Sequence, residues 1–208
     1  MTHRRKPGVA AAAEGTAVAR AADVLAAMEP GLRYAFASAE ALILDVDGVL
    51  TDGGVTAHSD GGESLTFFVR DSSGVWQAHK AGIKVGIVTG RATGIPESKP
   101  ALFPLSGART GTLDKAAGVL SLLAELGVVP ARCAYVGDDL LDGPALRIVG
   151  LPICVGDADP DVLPLARYVT RRPGGRGAVR EVTDLLLEAR GARAGILARF
   201  LGGAETPR

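Results

Sequence analysis

The sequence predicts an α/β protein in which helices wind around both faces of a parallel sheet, and three observations support this. Short, continuous apolar runs recur at 41–46, 83–89, 133–137, 151–155 and 168–170. Helical patterns lie between these runs, and acidic or hydroxyl residues follow several of them. Buried strands that alternate with helices are typical of a doubly wound parallel sheet.

The composition fits one globular domain and excludes several classes of protein. The 208 residues are 47% hydrophobic, with a mean hydropathy of +0.22, which is ample for a core. The 23 Lys and Arg residues balance 23 Asp and Glu residues, so no basic surplus favours nucleic acid or an anionic membrane. No apolar run approaches the roughly 20 residues that span a bilayer. The two cysteines, Cys133 and Cys154, are too few for a disulfide framework, and we expect a cytoplasmic protein.

The pattern of residues divides the chain into three parts. Residues 1–38 are rich in Ala and Arg and are interrupted by Pro7 and Pro30, so we expect an N-terminal extension that is partly helical or disordered. A helix is predicted near 18–28 within it. Residues 39–190 should form the globular domain, and residues 191–208 a C-terminal tail.

Two helices are predicted among and after the strands. Over 113–126, apolar residues recur at the spacing of one helical face. They are Leu113, Ala116, Ala117, Leu120, Leu123, Ala124 and Leu126. The second helix runs from Ala178 to Ala189. Because ligands bind outside the carboxyl ends of the strands in such sheets, the residues that follow each run are the candidates for chemistry.

One segment breaks the alternation of strands and helices. Residues 55–69 read as two extended pieces around the turn Ser59-Asp60-Gly61-Gly62, which predicts a projecting β-hairpin. Val55, Leu65 and Phe67 should leave apolar surface on this hairpin, so we expect it to pair with a partner.

Two carboxylates follow the first strand. Asp45 ends the strand and Asp47 comes two residues later, so both should lie at the mouth of the sheet. Such a pair alone also fits an acidic loop or a helix cap. Its weight comes from the residues at the other strand ends.

The second strand ends in Thr89-Gly90-Arg91, where a hydroxyl and backbone N–H groups suit phosphate oxygens. A simple turn is the alternative. Lys115 lies in the first turn of a predicted helix, where a positive charge opposes the helix dipole, which favours a local role over a solvated lysine.

The third strand delivers a second acidic cluster, Asp138, Asp139 and Asp142, after Gly137. Carboxylates gathered at one strand end repel one another unless a cation neutralises them. A hard, oxygen-seeking Mg²⁺ fits best. Helix capping by Asp138 or Asp139 is the competing interpretation.

The combined order of Asp-x-Asp, Thr, Lys and Gly-Asp-Asp-x-x-Asp resembles the haloacid dehalogenase superfamily of phosphohydrolases. The resemblance implies a Rossmann-like fold, with Asp45 as the nucleophile and Asp47 as the acid and base. It also implies that Thr89 and Lys115 bind the phosphoryl group.

The same resemblance implies a Mg²⁺ site made by Asp45, the backbone carbonyl of Asp47, and Asp138, with Asp142 in support. A carboxylate that attacks an anionic phosphate needs its repulsion cancelled, and Mg²⁺ together with Lys115 does this. The gaps after the first and second motifs are too short for a further domain, so we expect the haloacid dehalogenase fold without a cap domain. Another subunit is the simplest closure for the open site.

Several stretches narrow the resemblance to 3-deoxy-D-manno-octulosonate 8-phosphate phosphatases. They include LILDVDGVLTDG, FFVRDSSGV, IVTGR, CAYVGDDLLDGPAL and ARYVTRRPGGRGAVREVTDLLL. Over roughly 38–190, this implies a capless homotetramer joined through its hairpins. It also implies removal of phosphate from an eight-carbon sugar acid on the route to lipopolysaccharide.

The resemblance also implies a set of substrate contacts. The segment around Val69, Arg70 and Asp71 matches the loop that holds the sugar acid, and Arg91 matches a family arginine. Arginine pairs bidentately with carboxylates, although a surface salt bridge is the alternative role for both arginines. The full expected set is Asp47, Phe68, Val69, Arg70, Asp71, Ser72, Trp76, Arg91, Lys99 and Lys115.

The chain departs from the family pattern in the sugar-recognition residues. The family usually has Asn at the position of Phe68, Gly at Ser72, and Arg at both Trp76 and Lys99. Prolines also interrupt the expected helix between the second and third motifs. They are Pro96, Pro100 and Pro104.

The sequence leaves open the substrate, two non-enzymatic functions and the role of one arginine-rich loop. The substrate is an octulosonate 8-phosphate or a related nine-carbon ulosonate 9-phosphate. A catalytically silent oligomeric binding module is the rival from another class. A phosphorylated receiver switch fits the topology but leaves Asp47 without a role. The arginine-rich loop 171–177 suits anions near a helix N-terminus, or is a solvated loop.

Overall fold

A computed structural model describes residues 20–92 and 103–202 of the chain. Its strands are β1 (Ala41–Leu44), β2 (Thr56–Ala57), β3 (Glu63–Ser64), β4 (Lys84–Val88), β5 (Gly107–Arg109), β6 (Cys133–Gly137), β7 (Leu151–Cys154) and β8 (Tyr168–Val169). Six of them form one sheet in the order β5-β4-β1-β6-β7-β8, and every pairing in it is parallel. The predicted α/β class with a doubly wound parallel sheet is confirmed.

Helices form a layer on each side of this sheet. They are α1 (Ala21–Ala27), α2 (Pro30–Ser38), α3 (Val69–Lys80), α4 (Lys115–Leu126), α5 (Gly143–Ile148), α6 (Ala178–Ala189) and α7 (Arg193–Leu201). Helices α1, α2, α3 and α7 contact α6, whereas α4 contacts α5. No helix within 20–92 or 103–202 is long and apolar enough to cross a membrane.

The face that α4 buries differs from the predicted one. The buried residues are Lys115, Gly118, Val119, Leu122 and Leu123, whereas Leu113 precedes the helix and Leu120 is half exposed. The helix begins at Lys115 because Asp114 caps it, accepting a hydrogen bond from Ala117 N at 3.0 Å. Apolar periodicity missed this face because a buried lysine lies in it.

The hairpin exists, but it is shorter than predicted. Its two strands pair over only two positions each, Thr56 with Ser64 and Ala57 with Glu63. Phe67 is half-buried and its ring packs edge-on against Phe103 at 5.2 Å, so it covers the core instead of remaining exposed. Leu65 is also partly buried, and Val55 alone of the three predicted apolar residues is exposed.

The segment 21–38 forms two helices that join the main hydrophobic core. Phe36 of α2 is completely buried, and its ring meets that of Tyr168 edge-on at 5.5 Å. Leu25 of α1 is also buried in the same cluster. The part of the expected extension that is described therefore stabilises the domain.

Removing the Phe36 side chain tests this contribution. We expect Phe36→Ala to lower the free energy of unfolding by about 3–5 kcal/mol, because a completely buried aromatic ring leaves a cavity. Tyr34→Ala on the same helix is the matched control, since Tyr34 is 73% exposed. Urea unfolding measures both variants, and equal stability of the two would show that α2 does not contribute to the core.

Candidate active site

Three neighbouring strands end at one open cavity of about 1070 Å³. Leu44 of β1 pairs with Ile87 of β4 and Val136 of β6, so the residues that follow these positions emerge at the same edge. The sequence-predicted residues that line the cavity are Asp45, Asp47, Thr89, Arg91, Lys115 and Asp138. The chain switches from one side of β1 to the other at this point, where doubly wound sheets bind ligands.

A buried ammonium group joins the ends of the strands. Lys115 is 1% exposed, and its Nζ lies 2.7 Å from Asp45 Oδ1 and 3.3 Å from Asp142 Oδ1. The same nitrogen donates a hydrogen bond to the carbonyl of Val88 at 3.1 Å. A charge this far from water requires close partners, and these three oxygens supply them.

Asp45 is held in one orientation. Its Oδ1 accepts a hydrogen bond from the backbone of Val46 at 2.7 Å and contacts Lys115, whereas Oδ2 makes no hydrogen bond with the described residues. Burial, followed by the charge of Asp142, raises the pKa of Asp45 to about 6, although Lys115 opposes this shift. Oδ1 is thus fixed by the protein, and Oδ2 is free of hydrogen bonds with the described residues.

The carboxyl group of Asp142 is buried, and both of its oxygens accept hydrogen bonds from the protein. Its Oδ2 accepts from the backbone N–H groups of Asp138 and Asp139 at 2.8 and 3.2 Å. Its Oδ1 accepts from the Tyr135 hydroxyl at 2.5 Å and from Lys115. Asp142 therefore shapes the acidic loop and supports the site, whereas Asp45 and Asp138 keep oxygens available for a metal ion.

The carboxylates fit a divalent cation. Oxygens of Asp45, Asp138 and Asp142 lie within 4.8 Å of one another. Oδ1 of Asp138 is buried and has no hydrogen-bond partner among the described residues. Three carboxylates around the single ammonium of Lys115 leave negative charge in excess, and burial with these neighbouring charges raises the pKa of Asp138 to about 8. Hard oxygen ligands and excess negative charge suit Mg²⁺.

A glycine makes room for the carboxylate of Asp138. Gly48 has φ +78°, and a Cβ at this position would lie 2.0 Å from Oδ2 of Asp138. Any other residue would therefore push Asp138 away and strain the backbone. The glycine of the sequence Asp-Val-Asp-Gly is required by this close approach.

The carboxylate of Asp47 lies at the mouth of the cavity and forms a salt bridge with Arg91. Arg91 Nη2 donates to Asp47 Oδ1 at 2.8 Å, and Nε lies 3.1 Å from Oδ2. Nη1 of Arg91 donates to Glu63 in β3 at 2.5 Å. The hydrogen bonds to these two carboxylates raise the pKa of Arg91 above its usual value. Arg91 thus links the hairpin to Asp47.

Thr89 lies directly after β4 and is almost completely buried. Its hydroxyl oxygen accepts a hydrogen bond from the backbone N–H of Arg91 at 3.1 Å, and its own N–H donates to Arg109 at 2.9 Å. The hydroxyl proton stays available for an oxygen in the cavity. This geometry suits the predicted contact with a phosphoryl group.

The expected sugar-acid loop does not line the catalytic cavity of its own chain. Phe68 and Arg70 line a second cavity, and Val69 is 74% exposed. Asp71 is completely buried, and its carboxylate accepts from the backbone N–H groups of Gly177 and Arg180 at 3.1 and 2.6 Å. Asp71 therefore caps α6 and has a structural role in this chain.

Three further positions in the expected substrate set have other surroundings. Ser72 is buried, and its hydroxyl has no partner among the described residues. Trp76 packs beside Lys80, whose ammonium lies 5.7 Å from the ring, and lines a cavity against α7. Lys99 lies outside the described residues, as do Pro96 and Pro100.

Two residues of the site escaped the sequence analysis. Tyr135 lies in the middle of β6, where it reads as an ordinary apolar strand residue, and only the fold brings it to Asp142. Burial and the charge of Asp142 raise the pKa of Tyr135 well above its ordinary value, so it stays a hydrogen-bond donor. Glu63 follows two glycines in the hairpin, and no local signal reveals its contact with Arg91.

Comparison with known proteins agrees with this geometry. Residues 110–180 match the family model of haloacid dehalogenase-like hydrolases. The chain is 47% identical over 150 residues to the 3-deoxy-D-manno-octulosonate 8-phosphate phosphatase of Escherichia coli K12, covering 72% of this chain and 80% of the relative.

Solved structures are similar as well. That of the corresponding phosphatase from Moraxella catarrhalis, in complex with a magnesium ion, a phosphate ion and a KDO molecule, has a TM-score of 0.80 at 32% identity. The match covers 83% of this chain and 99% of that one. The Yersinia pestis phosphatase structure has a TM-score of 0.77 at 41% identity, covering 81% and 91% of the two chains.

The raised pKa values of the acidic cluster predict how stability depends on pH. Without metal, the folded protein keeps protons on Asp45 and Asp138 that the unfolded chain releases near pH 4, so stability falls as pH rises from about 4 to about 8. In EDTA we expect the Tm to fall across this window, and Mg²⁺ should restore at least about 1 kcal/mol, or roughly 2–4 °C, at pH 8.

Asp138→Asn provides the control for this measurement by differential scanning calorimetry. Asn lacks the charge that raises repulsion in the cluster, so the metal-free variant should lose less stability between pH 5 and pH 8 and should gain little from Mg²⁺. Equal Mg²⁺ stabilisation of the variant and the parent would contradict the metal site.

Proposed function

The chain belongs to the 3-deoxy-D-manno-octulosonate 8-phosphate phosphatase family of haloacid dehalogenase-like hydrolases, and we propose that it hydrolyses this sugar phosphate to the free sugar acid and phosphate. The single observation that carries the proposal is Asp45 held against the buried Lys115, beside the unpartnered oxygen of Asp138. A catalytically inactive relative would gain nothing from these groups, because burying several carboxylates close together costs free energy.

The first step is attack on phosphorus by the free oxygen of Asp45. The bond between phosphorus and the oxygen on C8 of the sugar breaks, and this leaving oxygen takes a proton from Asp47. The products of this step are the free sugar acid and an aspartyl-phosphate on Asp45. In the second step Asp47 removes a proton from water, which attacks phosphorus, releases phosphate and restores Asp45.

The remaining residues bind and orient the phosphoryl group. Lys115 is fixed by Asp142 and the Val88 carbonyl, so its ammonium is already in place for the phosphoryl oxygens. The Thr89 hydroxyl donates a further hydrogen bond. Asp45, the carbonyl of Asp47 and Asp138 would hold Mg²⁺, which would supply positive charge that offsets the repulsion between the carboxylate and the phosphoryl group.

Arg91 serves both Asp47 and the substrate in this proposal. Its guanidinium already has the bidentate geometry that carboxylates need, as the contact with Asp47 demonstrates. An anionic sugar acid in the cavity offers it a second carboxylate. Exchange between the two partners frees Asp47 for its contact with the leaving oxygen.

We also propose a homotetramer in which a neighbouring subunit closes the open cavity. Two facts about this chain support it. The exposed Thr56–Ala57 and Glu63–Ser64 strands of the hairpin make no pairing with the main sheet, and Phe68 and Arg70 line a cavity other than the catalytic one. Residues 68–72 would then contribute to a neighbouring site. Residues 39–190 form the phosphatase domain in this proposal.

We propose that the protein acts in the cytoplasm and that its reaction is a step in the synthesis of lipopolysaccharide precursors. Both cysteines, Cys133 and Cys154, are free and buried, as expected in a reducing compartment. Burial raises the pKa of Cys133 to about 12, which keeps this thiol unreactive.

Replacing the nucleophile tests the chemical assignment. Asp45→Asn should lower kcat by at least about a thousandfold, because a neutral amide is a poor nucleophile. Hydrolysis of an aryl phosphate with Mg²⁺ measures this, and circular dichroism controls for folding. A variant that retained activity within about tenfold of the parent would refute the assignment.

A panel of phosphate esters tests the substrate. The octulosonate 8-phosphate should have the highest kcat/KM, at least about tenfold above an aryl phosphate, which lacks the carboxylate and so loses one bidentate contact of roughly 1.4 kcal/mol. It should also exceed a nine-carbon ulosonate 9-phosphate, in which one more carbon separates the carboxylate from the phosphate. Preference for the nine-carbon ester would reassign the substrate. Equal rates on all three would show that the chain does not recognise a sugar acid.

Sedimentation tests the assembly. We expect a tetramer at micromolar concentration, because closed symmetric oligomers are the common outcome for such exposed edges. A stable monomer with full activity on the octulosonate phosphate would refute a contribution from neighbouring subunits.

A further inference from the structure

Two carboxylates hold the guanidinium group of Arg91, and they occupy different parts of it. The edge formed by Nε and Nη2 faces Asp47, with distances of 3.1 Å from Nε to Oδ2 and 2.8 Å from Nη2 to Oδ1. On the opposite side of the group, Nη1 donates to Oε2 of Glu63 at 2.5 Å. Because the two carboxylates use different nitrogens, either contact can break while the other persists.

The β-hairpin fixes the position of Glu63 at the wall of the catalytic cavity. Glu63 pairs with Ala57 across the hairpin, and the N–H of His58 closes the turn by donating to the carbonyl of Gly62 at 2.8 Å. Gly61, Gly62 and Glu63 all line the cavity. The hairpin therefore presents one carboxylate to the site, and this carboxylate contacts the arginine.

Arg91 has to change partners when an anionic sugar acid enters the cavity. In the proposed reaction, its Nε–Nη2 edge leaves Asp47 and binds the carboxylate of the substrate. A long arginine side chain that lost every partner at this moment would become mobile, and ordering it again would weaken substrate binding. The contact between Glu63 and Nη1 can persist through the exchange, because it does not use the edge that the substrate needs.

We propose that Glu63 is a positioning residue for sugar-acid recognition, which holds Arg91 in the cavity with its Nε–Nη2 edge ready for the carboxylate of the substrate. This inference rests on the proposed function and adds to it a residue that acts through Arg91. The negative charge of Glu63 also repels an anionic substrate. Its side chain is 48% exposed, however, and lies across the guanidinium group from the substrate edge, so water and salt screen this repulsion. The positioning effect therefore outweighs it.

Kinetics with two phosphate esters test this proposal on the full-length protein with Mg²⁺. The measured quantity is the selectivity ratio, which is kcat/KM for octulosonate 8-phosphate divided by kcat/KM for an aryl phosphate without a carboxylate. Glu63→Ala removes the contact with Arg91, whereas Glu63→Gln keeps an acceptor for Nη1 without the charge. Glu125→Ala is the matched control, because it removes another solvent-accessible glutamate that pairs with an arginine, Arg109, at 2.7 Å.

We expect Glu63→Ala to lower the selectivity ratio by about three- to tenfold, mainly through a higher KM for octulosonate 8-phosphate, because ordering a mobile arginine costs affinity. Glu63→Gln should have a ratio between those of Glu63→Ala and the parent, and Glu125→Ala should keep the parental ratio. A double-mutant cycle separates positioning from a general structural effect. In an Arg91→Ala background, Glu63→Ala should change the ratio by less than about twofold, because its effect passes through the arginine.

Four results would overturn the proposal while leaving the proposed function in place. One is the parental ratio in Glu63→Ala, and another is a ratio above the parental one in Glu63→Gln, which would show that repulsion dominates. The third is an equal loss from Glu63→Ala with and without Arg91. The fourth is a changed sedimentation coefficient of Glu63→Ala, which would assign the residue to subunit assembly.

Failure of the proposed function itself has a different signature. A parent protein that does not favour octulosonate 8-phosphate over the aryl phosphate would refute the proposed substrate, and the role of Glu63 with it. The parental ratio therefore reports on the substrate, and the change in this ratio reports on Glu63.

Discussion

The buried ammonium of Lys115 is the contact on which the site depends. It touches Asp45 after β1, the Val88 carbonyl at the end of β4, and Asp142 after β6, so one positive charge ties three parallel strands together at their carboxyl ends. Desolvating it is costly unless those oxygens stay in place. The same contacts that satisfy Lys115 therefore fix the orientation of the Asp45 carboxylate.

The site contains more negative than positive charge. One ammonium faces the carboxylates of Asp45, Asp138 and Asp142, and burial raises the pKa of Asp138 to about 8. A protein selected only for stability would not gather these groups, because each adds repulsion in a region of low dielectric. The excess becomes useful when Mg²⁺ and a phosphoryl group enter, and stability is exchanged for function in this way.

Sequence reasoning located the residues whose position follows from strand order alone. Asp45, Thr89 and Asp138 come directly after apolar runs, and parallel strands bring such positions to one edge. Tyr135 and Glu63 could not be found in this way, because their partners are distant in sequence and neither has a local signature.

The errors in the fold have similar physical causes. The three-residue strand β5 (Gly107–Arg109) has no apolar run to reveal it, and it is defined only by its pairing with β4. The buried face of α4 was assigned to the wrong side, since hydrophobic periodicity treats Lys115 as a surface residue. Tertiary contacts decided both outcomes, and the burial of Lys115 is the reason for the second.

The most direct test of the account is to trap the phosphorylated nucleophile. Asp47→Asn keeps Asp45, Lys115 and the backbone carbonyl, but it removes the base that activates water for the second step. The substrate is an aryl phosphate, because its leaving oxygen departs without a proton from Asp47. After incubation with this ester and Mg²⁺ and an acid quench, mass spectrometry should find one phosphoryl group on the peptide that contains Asp45. Two results would contradict the central role of Asp45. One is a phosphoryl group on a different residue, and the other is turnover by this variant with no phosphorylated peptide at any time point.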